Sequence, residues 1–226
     1  MRKRIDFDKT VAKEYDLWYQ TEEGRYISSL ENKLMLDLLK PQAGQKLLDI
    51  GCGTGNHLLL FLEKKLFAFG IDSSFFMLKE AKEKIREKKI VILACAESLP
   101  FLDKCFDTSI IFTTLEFCDD PIQVLKEAER VTKERIFLGV LNSYSLSAGL
   151  RRIKGWFKSS IYNKARFYNI WELKKLIEGS FRFSSIEWGG ANFFPRINSP
   201  FFRWLDEKFS KRKNHLSTFL GILIQL

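Results

Sequence analysis

A glycine-rich turn between a short apolar strand and a helix constrains the fold of this chain most. Residues 46–50 are largely apolar and run into Gly51-Cys52-Gly53-Thr54-Gly55, after which residues 56–65 follow a helical pattern. A strand–turn–helix unit gathers backbone N–H groups and a helix N-terminus at one point, where α/β sheets receive nucleotide-like ligands. A dinucleotide fingerprint would need a sixth-position glycine, and Asn56 stands there. The turn therefore predicts a nucleotide-like ligand and argues against a nicotinamide dehydrogenase.

Strands and helices alternate around this turn. Two helices are predicted within residues 9–40, and the core that follows has strands at 46–50, 66–72, 90–94, 106–113 and 135–141, with helices at 56–65, 74–88 and 121–132. Beyond residue 142 the pattern weakens to a helix at 171–179 and strands at 181–188 and 219–226. Regular alternation of this kind predicts a parallel sheet covered by helices on both faces.

An acidic residue ends the strand after the turn. Asp72 lies 17 residues beyond Gly55, where a carboxylate can accept hydrogen bonds from both ribose hydroxyls of an adenosine. The alternative is a group of loop glycines beside an unrelated strand-end acid. Because the turn, the spacing and the acid occur together, ligand binding is the interpretation that we favour.

Several ordered motifs resemble those of class I S-adenosylmethionine-dependent methyltransferases. They are LLDIGCGTG at residues 47–55, GIDSSFFML at 70–78, ESLPF at 97–101, Phe106-Asp107, and Asp119-Asp120-Pro121. The chain around residues 15–26 is also similar to the entry helices of small bacterial members. The resemblance implies a Rossmann-like α/β fold with flanking helices and a seven-stranded, mostly parallel sheet whose last strand is antiparallel. It implies a single domain over 1–226, with an N-terminal helical lid (1–40), a cofactor-binding core (41–141) and a substrate-side segment (142–226).

The resemblance further implies S-adenosylmethionine as cofactor and a role for each motif residue. The glycines would let the backbone approach the methionine and ribose, Asp49 would orient the loop, and Asp72 would take the ribose hydroxyls. The implied cofactor-binding residues are Asp49, Gly51, Cys52, Gly53, Gly55, Asp72, Ser73, Met77, Ala96, Glu97, Phe112 and Thr113. The chain departs from the family in two places: Cys95 stands where Asp is common, and Glu116-Phe117 stands where many relatives carry a His pair.

Candidates for chemistry are few. Methyl transfer from a sulfonium depends chiefly on alignment, and a base is needed only when the nucleophile arrives protonated. Glu116 is the candidate catalytic base, and the alternative is a charged residue that begins a loop. His57 is expected on the solvent side of its helix. Tyr15, Tyr19 and Arg25 are substrate-side candidates, with helix packing and surface exposure as the alternatives.

Positive charge is concentrated late in the chain. The net charge is +9, yet residues 1–150 hold 22 Lys/Arg against 23 Asp/Glu, while residues 151–213 hold 15 against 5. Such a field would draw an anionic acceptor, with Arg151 and Arg152 as substrate-side candidates. The alternatives are a solvated cationic face, a membrane surface, or nucleic acid, although no recognised RNA-binding module is present.

Composition narrows the remaining classes. Four cysteines form no CxxC pair and lack a His partner at zinc spacing, so neither a disulfide framework nor a metal site is predicted. The charged first 20 residues do not resemble a signal peptide, and no apolar stretch approaches the ~18 residues of a spanning helix. We expect a cytoplasmic methyltransferase with a small, anionic acceptor. An RNA- or protein-directed enzyme and a non-catalytic donor-binding protein are the alternatives, and the oligomeric state is not predicted.

Overall fold

The helices and strands follow the predicted order. The structure is a computed structural model that describes residues 7–85, 90–145, 165–193, 204, 206 and 214–226. Its helices are α1 (Lys9–Gln20), α2 (Glu22–Leu39), α3 (Asn56–Glu63), α4 (Phe75–Lys84), α5 (Pro121–Val131) and α6 (Ile170–Glu178). Its strands are β1 (Lys46–Ile50), β2 (Phe67–Asp72), β3 (Val91–Leu93), β4 (Phe106–Phe112), β5 (Thr132–Leu141), β6 (Ser185–Ala191) and β7 (Phe219–Gln225).

All seven strands belong to one sheet, in the order β3-β2-β1-β4-β5-β7-β6. Strands β1 to β5 pair in parallel, and β7 is antiparallel to both β5 and β6. This confirms the predicted fold. The chain leaves β1 toward β3 and then returns to β4 on the other side of β1. The carboxyl ends of β1 and β4 therefore flank the point where the strand order reverses, which is the usual ligand position in such sheets.

Helices cover both faces of the sheet, because the apolar side chains of β1 alternate between them. Leu48 and Ile50 pack in one cluster with residues of α5 and α6. Leu47 packs in the other cluster, which includes Leu34 of α2 and Phe61 of α3. All of these side chains are buried, so β1 is packed on both faces where the glycine turn leaves it.

Local side-chain caps fix where the helices near this edge begin. The Ser74 hydroxyl accepts a hydrogen bond from the Met77 amide at 3.2 Å and starts α4. The Asp120 carboxylate accepts from the Gln123 amide at 3.0 Å, and Pro121 occupies the first position of α5. Both patterns are favourable helix starts. They place the N-termini of α4 and α5 at the carboxyl edge of the sheet.

Some predicted boundaries were wrong. The strand expected at 181–188 is instead Ser185–Ala191, because its partner β7 ends at Gln225, which is opposite Ser185. The strand continues through Gly190, where a Cβ would lie 2.0 Å from the Ser217 hydroxyl oxygen, so only glycine permits this pairing. Strand β5 begins at Thr132 rather than 135, directly after α5. The helix expected at 74–88 ends at Lys84, and residues 86–89 lie outside the described chain.

None of the described helices has the length and apolar character needed to cross a bilayer. The division into lid, core and substrate-side segment stays a prediction.

Candidate functional site

The glycine turn folds as a left-handed loop that is pinned to β2. Gly51, Gly53 and Gly55 have φ angles of 79°, 52° and 80°, a region that L-residues other than glycine rarely adopt. The amides of Gly51 and Cys52 both donate to the carbonyl of Ile71 at 2.8 Å. The loop therefore continues the contact with β2 beyond the end of β1.

Two of these glycines are also closely packed. A Cβ on Gly51 would lie 2.3 Å from Cγ2 of Thr114, in the segment after β4. A Cβ on Gly55 would lie 3.0 Å from Cδ1 of Ile85, at the end of α4. At these two positions the loop is packed against the segment after β4 and against α4, whereas a Cβ on Gly53 would meet only the Tyr15 ring, at 3.8 Å.

Asp72 closes the other side of the loop. Its Oδ2 accepts a hydrogen bond from the Gly53 amide at 2.9 Å, and its Oδ1 accepts from the Ser74 amide at 2.8 Å. Burial raises the pKa of Asp72, and the two amides oppose that rise. Each carboxylate oxygen can accept a further hydrogen bond, so Asp72 both supports the loop and can receive hydroxyl donors.

A cavity of about 410 Å³ opens beside the loop and Asp72. Nine of the predicted cofactor-binding residues line it: Gly51, Gly53, Asp72, Ser73, Met77, Ala96, Glu97, Phe112 and Thr113. Asp49, Cys52 and Gly55 do not line it. The Cys52 side chain is buried and packs against Gly70 of β2. A Cβ on Gly70 would lie 2.7 Å from the Cys52 sulfur.

Asp49 lies beneath the loop in β1. Its side chain is fully buried, and neither carboxylate oxygen has a hydrogen-bond partner among the described residues. Burial, followed by the charge of Asp72, raises the pKa of Asp49 to about 8. No hydrogen bond connects this carboxyl group to the loop, so the orienting role of Asp49 stays a prediction.

The N-terminal segment reaches the cavity with some of its predicted residues. Tyr15 lines the cavity, and its ring lies 3.8 Å from where a Cβ on Gly53 would stand. The Tyr15 and Tyr19 hydroxyls are 3.1 Å apart, but Tyr19 is not a lining residue. Arg25 is also absent from the lining, because its guanidinium donates to the Gln20 carbonyl at 2.8 Å. The remaining substrate-side candidates, Arg151 and Arg152, lie outside the described residues.

Glu116 lies in the short 3-10 turn (Leu115–Phe117) after β4 and is buried. Its Oε1 accepts a hydrogen bond from the Leu141 amide at 2.7 Å, while Oε2 has no partner among the described residues. Burial raises the pKa of Glu116 to about 7. The residue does not line the cavity, so its clearest contact braces the end of β4 against the end of β5.

His57 is not on the solvent side of its helix, contrary to expectation. It is buried, and its ring centroid lies 4.1 Å from that of Phe112, a cavity-lining residue. Burial lowers the pKa of His57 to about 4, so the ring is neutral at neutral pH. The sequence signal for this burial was the spacing of His57 from the apolar Phe61, because residues four apart share a helix face.

Sequence reasoning gave several lining residues no role in the site, although it noted Cys95 and Phe117 as departures from the family. These lining residues are Phe7, Ile71, Cys95, Thr114, Phe117, Cys118, Asp119 and Asp120. Most of them follow β3 or β4, where the chain turns at the carboxyl edge of the sheet. Asp119 and Asp120 belong to the Asp119-Asp120-Pro121 motif. Because this motif follows β4, at the edge of the sheet where ligands bind, it could have assigned both residues to the site.

The fold and this cavity define an α/β protein that receives a nucleoside-like ligand at the reversal point of its sheet. The methyltransferase-domain family matches residues 48–138. An uncharacterized protein of Methanocaldococcus jannaschii is 34% identical over 174 residues, which cover 76% of this chain and 78% of that protein. The chain belongs to the class I S-adenosylmethionine-dependent methyltransferases, and S-adenosylmethionine is its cofactor.

Solved structures have the same fold. A methyltransferase from Thermotoga maritima, described as a possible histamine N-methyltransferase, superposes with a TM-score of 0.78 and 23% identity, covering 96% of each chain. Magnesium protoporphyrin IX methyltransferase from Synechocystis, solved with bound SAH, superposes with a TM-score of 0.67 and 14% identity, covering 97% of this chain and 95% of that chain.

Proposed function

We propose that the cavity beside the glycine loop holds S-adenosylmethionine and that a small-molecule acceptor enters next to it from the end of β4. The observation that carries the proposal is the joint placement of the loop and Asp72 at the reversal point of the sheet. This arrangement offers to a ligand the backbone of Gly51 and Gly53 and the carboxylate of Asp72, which all line the cavity.

The residues present fit an adenosine-containing sulfonium. Asp72 has acceptor positions left for the ribose hydroxyls, and Met77 and Ala96 offer apolar surface to the adenine. The lining contains four carboxylates and no Lys, Arg or His among the described residues, which suits a cationic ligand. The unpartnered carboxyl group of Asp49 lies beneath the same loop. When bound, the cofactor supplies a methyl group made electrophilic by the positively charged sulfur.

The protein's part in the reaction is alignment. Phe112 and Thr113 border the cavity at the end of β4, and Phe117 faces it from the turn that follows. The Phe117 ring contacts Phe7 edge to face, with centroids 5.1 Å apart, so aromatic walls from two segments restrict water and orient an acceptor. Because no described lining residue is a histidine or lysine, we favour an acceptor whose nucleophile needs no strong base.

The charge of the acceptor is the finer part of the proposal. Residues 151–213 hold 15 Lys/Arg against 5 Asp/Glu. This basic segment follows β5 in the sequence. We favour an anionic acceptor that is drawn by this segment, since the cavity wall itself is acidic and cannot attract one.

A transfer assay tests the proposal. The protein is incubated with donor labelled in its methyl group and with fractionated metabolites, either untreated or depleted of anions on an exchange resin. Transfer to a small molecule that is lost on anion removal supports the proposal. Transfer only to macromolecules would contradict it, and transfer to a retained cationic molecule would correct the acceptor's charge.

A further inference from the structure

One carboxylate joins the N-terminal helix to the glycine loop. Oδ1 of Asp16, in α1, accepts a hydrogen bond from the Thr54 hydroxyl at 2.9 Å and pairs with the Lys84 ammonium at 2.5 Å. Lys84 also donates to Oδ1 of Asn56 at 2.9 Å. Asp16 therefore connects α1 with the loop directly, and through Lys84 with the starting residue of α3 and the last residue of α4.

This group of contacts is better shielded than an ordinary surface ion pair. The side chains of Asp16 and Lys84 are 20% and 25% exposed, whereas those of Lys104 and Glu129, a pair elsewhere on the surface, are 45% and 34% exposed. Exposed pairs contribute little, but charge-assisted hydrogen bonds in partly buried positions are stronger. The Asp16 contacts are therefore capable of fixing the position of α1.

Tyr15, the residue before Asp16, brings α1 to the cavity. Tyr15 lines the cavity and faces Gly53, one residue before Thr54. We propose that Asp16 is a positioning residue for the donor: it fixes α1 against the glycine loop and thereby holds Tyr15 over the bound cofactor. The inference rests on the donor site proposed above.

A second contact holds the start of the same segment across the cavity. The Ser74 hydroxyl donates to the Phe7 carbonyl at 2.6 Å, and the Phe7 ring packs on Phe117. The chain is thus attached at Phe7 and at Asp16, with the cavity-facing Tyr15 next to the second attachment. Loss of the Asp16 contacts frees the part of α1 that carries Tyr15 and opens a route for the donor to leave.

The test measures how fast S-adenosylhomocysteine dissociates, by stopped-flow displacement from the full chain. Asp16→Ala is expected to raise the dissociation rate about tenfold, since it leaves Thr54 and Lys84 without their shared acceptor. Asp16→Asn keeps an acceptor for Thr54 but loses the charge, so an intermediate increase is expected. Glu129→Ala breaks the Lys104 pair and serves as the matched control, with an unchanged rate.

A double-mutant cycle separates positioning from a general loss of stability. If Asp16 acts through Tyr15, Asp16→Ala should raise the rate little further in a Tyr15→Ala background. Independent, multiplicative effects would overturn the proposal, as would an Asp16→Ala rate equal to that of the wild type. If Asp16→Ala does not fold, the same cycle is run with Asp16→Asn.

Asp72→Asn, measured alongside, distinguishes the two proposals. Weaker S-adenosylhomocysteine binding in Asp72→Asn with no effect of Asp16 contradicts only the positioning role. Unchanged binding in Asp72→Asn contradicts the donor site itself.

Discussion

Gly51 and Thr114 are in contact at the reversal point of the sheet: a Cβ on Gly51 would lie 2.3 Å from the Thr114 side chain. The single hydroxyl hydrogen of Thr114 is shared between the Phe112 carbonyl at 3.0 Å and the Gly51 carbonyl at 3.3 Å. The turn after β1 and the segment after β4 are therefore packed directly together, and both line the cavity. Cofactor binding and this packing should be disturbed by the same substitution.

Gly51→Ala should lower both the stability and the affinity for S-adenosylhomocysteine. Its positive φ costs roughly 1–2 kcal/mol for an alanine, and overpacking against Thr114 adds about 1–3 kcal/mol. Gly44→Ala is the matched control, because Gly44 has a φ of 83° but nothing within 4 Å of its Cβ position. Denaturant unfolding and calorimetry should show only the smaller stability loss for Gly44→Ala. Equal effects of the two variants would mean that the contact with Thr114 is unimportant.

Burial of Asp49 makes the unliganded protein less stable as pH rises. Its pKa of about 8 in the folded chain, against 3.8 for an ordinary Asp, means that the folded state holds more protons between these values. The contribution of protonated Asp49 to the free energy of unfolding is fully present below about pH 4 and is lost as pH rises toward 8. The free energy of unfolding falls over this range by up to about 1.4 kcal/mol per pH unit. Asp49→Asn should flatten the free energy of unfolding over this range, measured with urea. An unaltered slope in Asp49→Asn would refute the assignment.

His57 has the opposite dependence. Its pKa falls from 6.5 to about 4, so the unfolded chain binds more protons between these values. The contribution of neutral His57 to the free energy of unfolding is fully present above pH 6.5 and is lost as pH falls toward 4. His57→Gln should be less sensitive to acid in this range than the wild type, even if it is less stable at neutral pH. A urea series from pH 4 to 7 measures this, and parallel curves for the two proteins would contradict it.

Glu116→Gln separates bracing from base catalysis. Glutamine keeps an oxygen for the Leu141 amide, so we expect near-wild-type stability and a kcat within about threefold. Glu116→Ala leaves that buried amide unpaired and should cost roughly 1–3 kcal/mol of stability. The measurement is kcat together with Tm for both variants. A loss of about a hundredfold or more in kcat for a stable Glu116→Gln would instead assign Glu116 as the general base.

The anionic-acceptor hypothesis predicts a salt effect on one substrate only. Steering acts over about one Debye length, ~8 Å at physiological salt, so kcat/KM for the acceptor should fall with added salt while donor affinity changes little. Reversal of charge at Arg151 and Arg152 should reproduce the loss, whereas reversal at the exposed Lys64 and Lys65 should not. If acceptor turnover ignores both changes, the basic segment is a solvated face.

The sheet was predictable because its signals are local. The apolar run of β1, the glycines after it and the alternation with helices specify neighbouring elements, and the resemblance supplied the number of strands and the antiparallel last strand. The bounds of β6 were not predictable from its own residues, since they depend on where β7 ends and on the close approach of Ser217 to Gly190.

The site was predictable where motif and fold position coincide. Residues of the glycine loop and Asp72 meet at one cavity, as their spacing indicated. The Asp16 contacts were not predictable, because Asp16, Thr54 and Lys84 are far apart in sequence. None of the three belongs to a pattern that indicates a partner. The burial of Glu116 likewise depends on the end of β5, which no pattern around residue 116 reveals.

The most direct test of the donor site is calorimetric titration with S-adenosylhomocysteine of the wild type, Asp72→Ala and Asp107→Ala. Asp107 is the matched control: it accepts the Lys46 amide at 2.8 Å at the opposite edge of the sheet. We predict binding by the wild type, a loss of roughly 1–3 kcal/mol of binding free energy in Asp72→Ala, and wild-type affinity in a folded Asp107→Ala. No binding by the intact wild type, or equal affinities in all three proteins, would contradict the account.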